Sequence, residues 1–264
     1  MIAFLETELA LQVILSAPGF EDTNFGRLGY AGAMVFATLV AGWLYRRGQD
    51  TSELTREQRW GIAFGGVLGA TFAAKIPFVL GSTTTGGWFG LWLSDGKTLL
   101  WGLTGGYIGV EVAKWSLYVR QRTGDRFTVP VAVAIGIGRI GCLFNGCCYG
   151  VPTDDSWGVR SGLADGGRVL RHPAPLYEMA FHLGFAILAT IGLRKGILRE
   201  RWMLVYLISY CLFRFVSEFW REEPQLWMGL TFYQLSAVPI AIAFATVLVA
   251  RSVGQRNGLS ENEG

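Results

Sequence analysis

Seven charged side chains sit inside long apolar stretches of this chain: Lys75, Lys114, Arg139 and Arg214, with Glu111, Glu178 and Glu218. A charge at mid-bilayer costs about 2.5–3.5 kcal/mol even on a lenient insertion scale, so such groups face a cavity or one another. Arg214 and Glu218 stand at i, i+4 and can pair on one helix face; Glu111 and Lys114 can do the same at i, i+3. Those pairs also have a purely structural reading as internal ion pairs. Arg139 has no acid near it in sequence, and it lies too far from either end of its apolar run to reach water easily.

Arg139 also occupies the most unusual segment, Gly136 to Gly150, where five of fifteen residues are glycine. That density makes a poor packed helix but lets a ligand or another backbone come close. A guanidinium there suits an anionic head group, because its planar fork matches phosphate with two parallel hydrogen bonds. Asn145 adds a neutral amide that can donate or accept. The plainer alternative is a glycine-lined helix crossing with one buried arginine; the position of Arg139 favours the phosphate reading.

Two further clusters stand out. Residues 214–224 hold Arg214, Glu218 and Arg221, and the two arginines, seven residues apart, lie close to one helical face. With Arg139 they are expected to form a basic cradle. Residues 102–109 hold four glycines, a weak signal that fits small-residue helix packing equally well. The four cysteines, Cys142, Cys147, Cys148 and Cys211, lack the C-x-x-C spacing of a structural zinc site, and only His172 and His182 are present. No metal and no cofactor is expected. The vicinal Cys147–Cys148 pair reads first as small, moderately apolar packing, and second as a nucleophile or redox pair.

These residues need a membrane-embedded scaffold. Of 264 residues, 51% are hydrophobic and 16% charged, the mean hydropathy is +0.35, and there are 36 glycines and ten tryptophans. That composition excludes an ordinary soluble domain and suits close helix packing with aromatic belts at the interfaces. Apolar runs near the bilayer-spanning length recur seven times, over 28–45, 61–80, 99–119, 129–149, 175–193, 203–220 and 230–250. The expected fold is all-α and polytopic, with an interfacial segment at 1–27, seven transmembrane helices within 28–250 and a disordered tail at 251–264. No cleaved signal peptide is expected. The longest gap, 150–174, leaves no room for a soluble domain. Alternate loops carry thirteen basic residues on one side (among them Arg46, Arg120, Arg194 and Arg251) and six on the other: Arg27, Lys97, Arg160, Arg168, Arg171 and Arg221. The richer side should be cytoplasmic, which puts the N-terminus outside and the C-terminus inside. The net charge of +3 is small, and no nucleic-acid partner is expected.

The order of motifs resembles the bacterial prolipoprotein diacylglyceryl transferases. It runs from Gly105-Gly106, through Gly138-Arg139-Ile140-Gly141 with Asn145-Gly146 and Gly150, to Arg171-His172-Pro173 with Tyr177-Glu178. It ends with Phe213-Arg214, Glu218, Arg221-Glu222 and Gly229-Leu230-Thr231. The similarity runs from about Gly61 to Ile242. It implies a transferase of the bacterial cytoplasmic (inner) membrane that moves the diacylglyceryl group of phosphatidylglycerol onto a cysteine thiol near the signal peptide of a preprolipoprotein, releasing glycerol phosphate. Arg139 and Arg221 match the positions that steady the leaving phosphate, with Asn145 beside them. Gly105, Gly106, Gly138 and Gly150 would shape the head-group pocket together with Tyr177, and Arg214–Glu218 would orient an outer gate. Arg160, Arg168 and Arg171 would form a basic collar for anionic lipid or substrate, the plainer alternative being an ordinary solvated loop.

This chain departs from that pattern in three places. The family's His before the Gly-Gly pair is Thr104, whose hydroxyl is no base near neutral pH. The first Asn of the signature is Cys142, and its Glu is Cys147. The transferase reading therefore stands beside two others: a non-catalytic protein that binds or translocates anionic phospholipid, and a membrane thiol oxidoreductase using Cys147–Cys148.

Overall fold

The structure, a computed structural model, describes residues 23–48, 54–81, 98–160 and 168–260. Seven helices occur among them: α1 Thr23–Arg47, α2 Arg56–Gly81, α3 Leu99–Ser116, α4 Gly124–Phe144, α5 Ala174–Arg194, α6 Trp202–Ser217 and α7 Phe232–Ser260. Two short antiparallel pairs interrupt them, β1 Val159–Arg160 with β2 Leu170–Arg171, and β3 Gln225–Trp227 with β4 Leu230–Thr231. Five helical stretches are long and apolar enough to cross a membrane: Gly26–Arg47, Gly124–Phe144, Ala174–Arg194, Trp202–Trp220 and Phe232–Val253. The chain is an all-α polytopic membrane protein. The two remaining expected spans, 61–80 and 99–119, are helical as α2 and α3. These are the helices that hold Lys75, Glu111 and Lys114, which lower their apolar character.

Large apolar side chains turn outward, among them Leu28, Phe36, Leu39, Phe64, Phe72, Ile187, Leu188, Leu212 and Val249. In water such a surface would mark an interaction site; around apolar helices of this length it is what lipid covers. Within Trp202–Trp220, by contrast, Leu204, Tyr206, Leu207 and Tyr210 are buried within the protein.

The chain divides into two compact units. The first comprises Met1–Gln49, Arg126–Arg199 and Val216–Phe232; the second comprises Asp50–Asp125, Glu200–Phe215 and Tyr233–Gly264. In the second, α2 and α3 meet along two facing glycine pairs. A Cβ on Gly105 would collide with the Ala73 Cβ and the Gly69 carbonyl, and one on Gly109 with the Gly65 carbonyl. Gly65/Gly69 against Gly105/Gly109 is thus a small-xxx-small crossing in which backbone touches backbone. Several charged groups of this unit are paired with one another. Lys114 Nζ donates to Glu111 at 2.9 Å, and Arg251 reaches both Tyr107 Oη (2.8 Å) and Glu111 (3.3 Å). Asp125 caps the start of α6, accepting the Trp202 N–H at 2.9 Å.

Three boundaries differ from expectation. The run at 129–149 is helical only to Phe144, because Gly146 takes φ +63° and closes the helix. Cys147 and Cys148 therefore lie in the turn that follows α4 and not on the helix; Cys147 is half-buried and Cys148 exposed. The tail expected to be disordered from 251 continues as α7 to Ser260, and Arg251 contacts Tyr107 and Glu111. The interfacial segment at 1–27 lies outside the described residues up to 22, and 23–27 already belong to α1. Lys97 also lies outside the described residues.

Candidate active site

The first unit contains the charged centre. Helix α5 starts at Ala174, after Pro173 and with Pro175 in its first turn, where a missing N–H costs nothing. That start places Glu178 one turn in, 1% exposed, with His182, 0% exposed, one turn further along. Arg139, on α4, forms an ion pair with Glu178. The acid absent from its sequence neighbourhood is supplied by another helix.

Arg221 approaches the same carboxylate from the far end of the chain. α6 tightens into a 3-10 turn at Glu218–Trp220, and the Arg221 N–H closes it on the Glu218 carbonyl at 3.0 Å. The Arg221 guanidinium then stands 4.0 Å from Glu178 Oε1, 3.8 Å from Glu218 Oε2 and 3.6 Å from Glu223 Oε1. Glu218 is itself fixed by the Thr231 hydroxyl, which donates to its Oε1 at 3.0 Å. Two guanidinium groups, only 15% and 13% exposed, thus converge on one buried carboxylate.

Gly150 makes the approach of Arg221 possible. It forms a bridge with Arg221, and a Cβ there would strike the Trp220 carbonyl and lie 2.9 Å from the His172 Cβ. Gly150 N–H donates to His172 O at 2.8 Å, and Val151 N–H to Trp220 O at 3.0 Å. Arg171 Nη1 locks this junction, donating to Gly150 O at 3.2 Å and to Glu222 at 2.7 Å. Nearby, the Tyr177 hydroxyl lies between Trp157 Nε1 and His172 Nδ1, 3.1 Å from each.

The end of α4 is a Schellman motif. Gly146 N–H donates to Leu143 O at 3.2 Å, and Cys147 N–H to Cys142 O at 3.1 Å. This second bond sets Cys142 and Cys147 side by side. Cys148 then takes φ +66°, unusual for a residue with a side chain, and the three sulfur atoms fall within 4.8 Å of one another. Arg139 Nη1 is 3.7 Å from Cys142 Sγ, and Arg221 Nη1 is 3.5 Å from the Cys148 carbonyl oxygen.

The structure thus brings together Arg139, Arg221 and Glu218 of the expected site, with Gly150 and Tyr177 bordering the Arg221 junction. Asn145 sits at the end of α4, its N–H on Gly141 O at 3.0 Å. Gly138 lies against the Met34 methyl, which a Cβ would meet at 3.2 Å. Arg214 belongs to the second unit, where its guanidinium covers the Tyr233 ring at 4.7 Å. Gly105 and Gly106 are also in that unit, at the α2–α3 crossing, and Thr104 there spends its hydroxyl on Leu100 O at 2.9 Å. Sequence reasoning missed the Glu178 bridge, which has no local signal. It missed the three-thiol cluster too, although Gly146 placed just before Cys147 was a readable sign that the helix turns back there.

The family model for prolipoprotein diacylglyceryl transferase matches residues 13–250. The chain belongs to that family. Among its relatives, the phosphatidylglycerol–prolipoprotein diacylglyceryl transferase of Photobacterium profundum is 34% identical over 207 residues, covering 73% of this chain and 74% of that protein. The protein of the same name from Aeromonas salmonicida is 31% identical, covering 82% of each chain. That of Francisella tularensis subsp. novicida is 27% identical, covering 89% of this chain and 93% of its own length. The Arg139–Glu178–Arg221 centre and the thiol cluster both lie within the span that the family model matches.

Proposed function

We propose that this family member transfers the diacylglyceryl group of phosphatidylglycerol to the cysteine thiol of a preprolipoprotein. The observation that carries this reading is the convergence of Arg139 and Arg221 on Glu178. Cleavage of the glyceryl C–O bond leaves a phosphate monoester, and its new charge needs donors held in place before it forms. Two forked cations in a mostly buried setting supply them, and Glu178 keeps both oriented while the site is empty of lipid. Asn145 would add an amide to the head group, Gly138 and Gly150 the space for it, and Tyr177 its border. Gly105 and Gly106 remain proposed pocket residues alongside their packing role.

The site would open toward the outer face of the bacterial cytoplasmic membrane, with seven spans, the N-terminus outside and the C-terminus inside. The bias of basic residues toward one set of loops supports that orientation. Arg160, Arg168 and Arg171 would then face the anionic head groups and the signal-peptide region of the acceptor. The test is turnover by purified protein given phosphatidylglycerol and a lipobox peptide. Release of glycerol phosphate with a diacylglyceryl mass gain on the peptide supports the reading; neither product moves it to a lipid-binding protein.

A further inference from the structure

The transfer just proposed needs the acceptor as a thiolate, since the thiol itself is a weak nucleophile. No general base for it stands out at the position where the family resemblance places one, because Thr104 is there and its hydroxyl is engaged with Leu100 O. A different group in the charged centre has the chemistry to form a thiolate.

Cys142, Cys147 and Cys148 gather their sulfur atoms within 4.8 Å, and the Cys147–Cys148 Sγ separation is 3.8 Å. Ligands on zinc at about 2.3 Å in tetrahedral geometry stand roughly 3.8 Å apart. The Cys147–Cys148 separation matches that spacing, and the third sulfur lies within 4.8 Å of both, close enough for small side-chain rotations to close the set on one ion. Two backbone features build it: the 6→1 bond from Cys147 to Cys142, and the left-handed conformation at Cys148. The latter costs of order 1–3 kcal/mol for a residue other than glycine, and strain of that kind gathers at functional positions.

Three soft donors select zinc or a similarly thiophilic ion over magnesium or calcium. Three thiolates with one divalent zinc ion leave a net charge of −1, which faces Arg139 Nη1 at 3.7 Å from Cys142 Sγ. The group numbers three donors among the described residues, and three protein ligands with one position open are the arrangement of a catalytic zinc site rather than a structural one. A thiol entering that position is deprotonated outright.

We infer that Cys142, Cys147 and Cys148 hold one zinc ion whose fourth position takes the acceptor cysteine as a thiolate, in place of a general base. This rests on the transferase reading for the identity of the acceptor. The thiol proton leaves to solvent when sulfur binds the metal. The metal-bound sulfur then forms an S–C bond to the glyceryl carbon while the C–O bond to phosphate breaks. The departing oxygen keeps that electron pair as the second negative charge of glycerol phosphate, facing Arg139 and Arg221. No electrons are gained or lost, and the metal is regenerated when the thioether dissociates.

The test uses the full chain, purified reduced in detergent. Elemental analysis should find about one zinc per chain. Replacement by Co2+ should give a thiolate-to-cobalt absorption band, and a lipobox peptide thiol should raise its intensity by roughly a third as a fourth sulfur joins, whereas the Ser version of the peptide should not. Cys148→Ser, at an exposed position and checked for unchanged melting of the metal-free protein, should lose about a third of the band and the response to peptide. The proposal is overturned by protein that binds neither metal, by a cobalt band indifferent to the peptide thiol, or by undiminished transfer after chelation. The last result would leave the transferase reading intact. A peptide-responsive cobalt band without glycerol phosphate release would do the opposite: the metal site would stand and the donor lipid would be wrong.

Discussion

Arg139 on α4 and Glu178 on α5 form an ion pair away from water, and the same carboxylate faces Arg221 Nη1 at 4.0 Å. A lone buried guanidinium would be costly, and one carboxylate shared by two cations offsets that cost while fixing where both forks point. Glu178→Gln keeps the shape and removes the charge. It is expected to destabilise the protein by about 3–5 kcal/mol, the cost of leaving a buried partner uncompensated, seen as a lowered melting temperature in detergent. Unchanged melting would mean the pair adds nothing to the fold.

Arg139→Lys and Arg221→Lys keep the charge and lose the fork. Each should lower kcat for glycerol phosphate release by about 100-fold or more, the scale of losing one donor to a developing oxyanion, while the protein still folds. Wild-type turnover in both would sink the phosphate role of these residues.

The neighbouring glycines Gly105 and Gly106 should behave differently. A Cβ at Gly105 collides with Ala73 and the Gly69 carbonyl, so Gly105→Ala should destabilise by about 1–3 kcal/mol by forcing the helices apart. At Gly106 the nearest atoms, Ala70 Cβ and Gly66 O, are at 3.4 Å, which an alanine accepts. Melting curves of the two variants check this. A folded Gly106→Ala protein with a raised KM for phosphatidylglycerol would place that glycine in the head-group pocket; an unchanged KM would confine it to packing.

Cys148→Gly relieves the left-handed backbone at φ +66° and removes one thiol. Compared as metal-free proteins, the variant should melt higher than the parent, by about 1 kcal/mol of stability, because the steric cost of that conformation exceeds the entropic cost of glycine. Transfer activity should fall at the same time. Higher stability with full activity would show that the strained cysteine serves no chemistry.

What the sequence made legible was whatever repeats at short range. Apolar runs marked the helices, and the i, i+3 spacing of Glu111 and Lys114 foretold their contact at 2.9 Å. The phosphate-binding character of Arg139 could be argued from residue type and from the glycines around it. Its partner could not, because α4 and α5 are joined by a long loop and nothing in local spacing says which acid faces which arginine. The glycines at 102–109 carried two equally good readings, and only the facing Gly65 and Gly69 decided for close helix packing. The end of α4 was misplaced because Cys147, Cys148 and Tyr149 are apolar enough to prolong a hydrophobic run, whereas one positive φ at Gly146 ends the helix. Cys142 and Cys147 looked like separate losses of polar residues; the turn that joins them makes them one cluster with Cys148.

The most direct measurement is single-turnover transfer with purified protein, phosphatidylglycerol and a lipobox peptide, following glycerol phosphate and peptide mass together. Equal amounts of both products are expected, and loss of both in Arg139→Lys. Intact phospholipid and unmodified peptide, in protein shown to bind both, would contradict it.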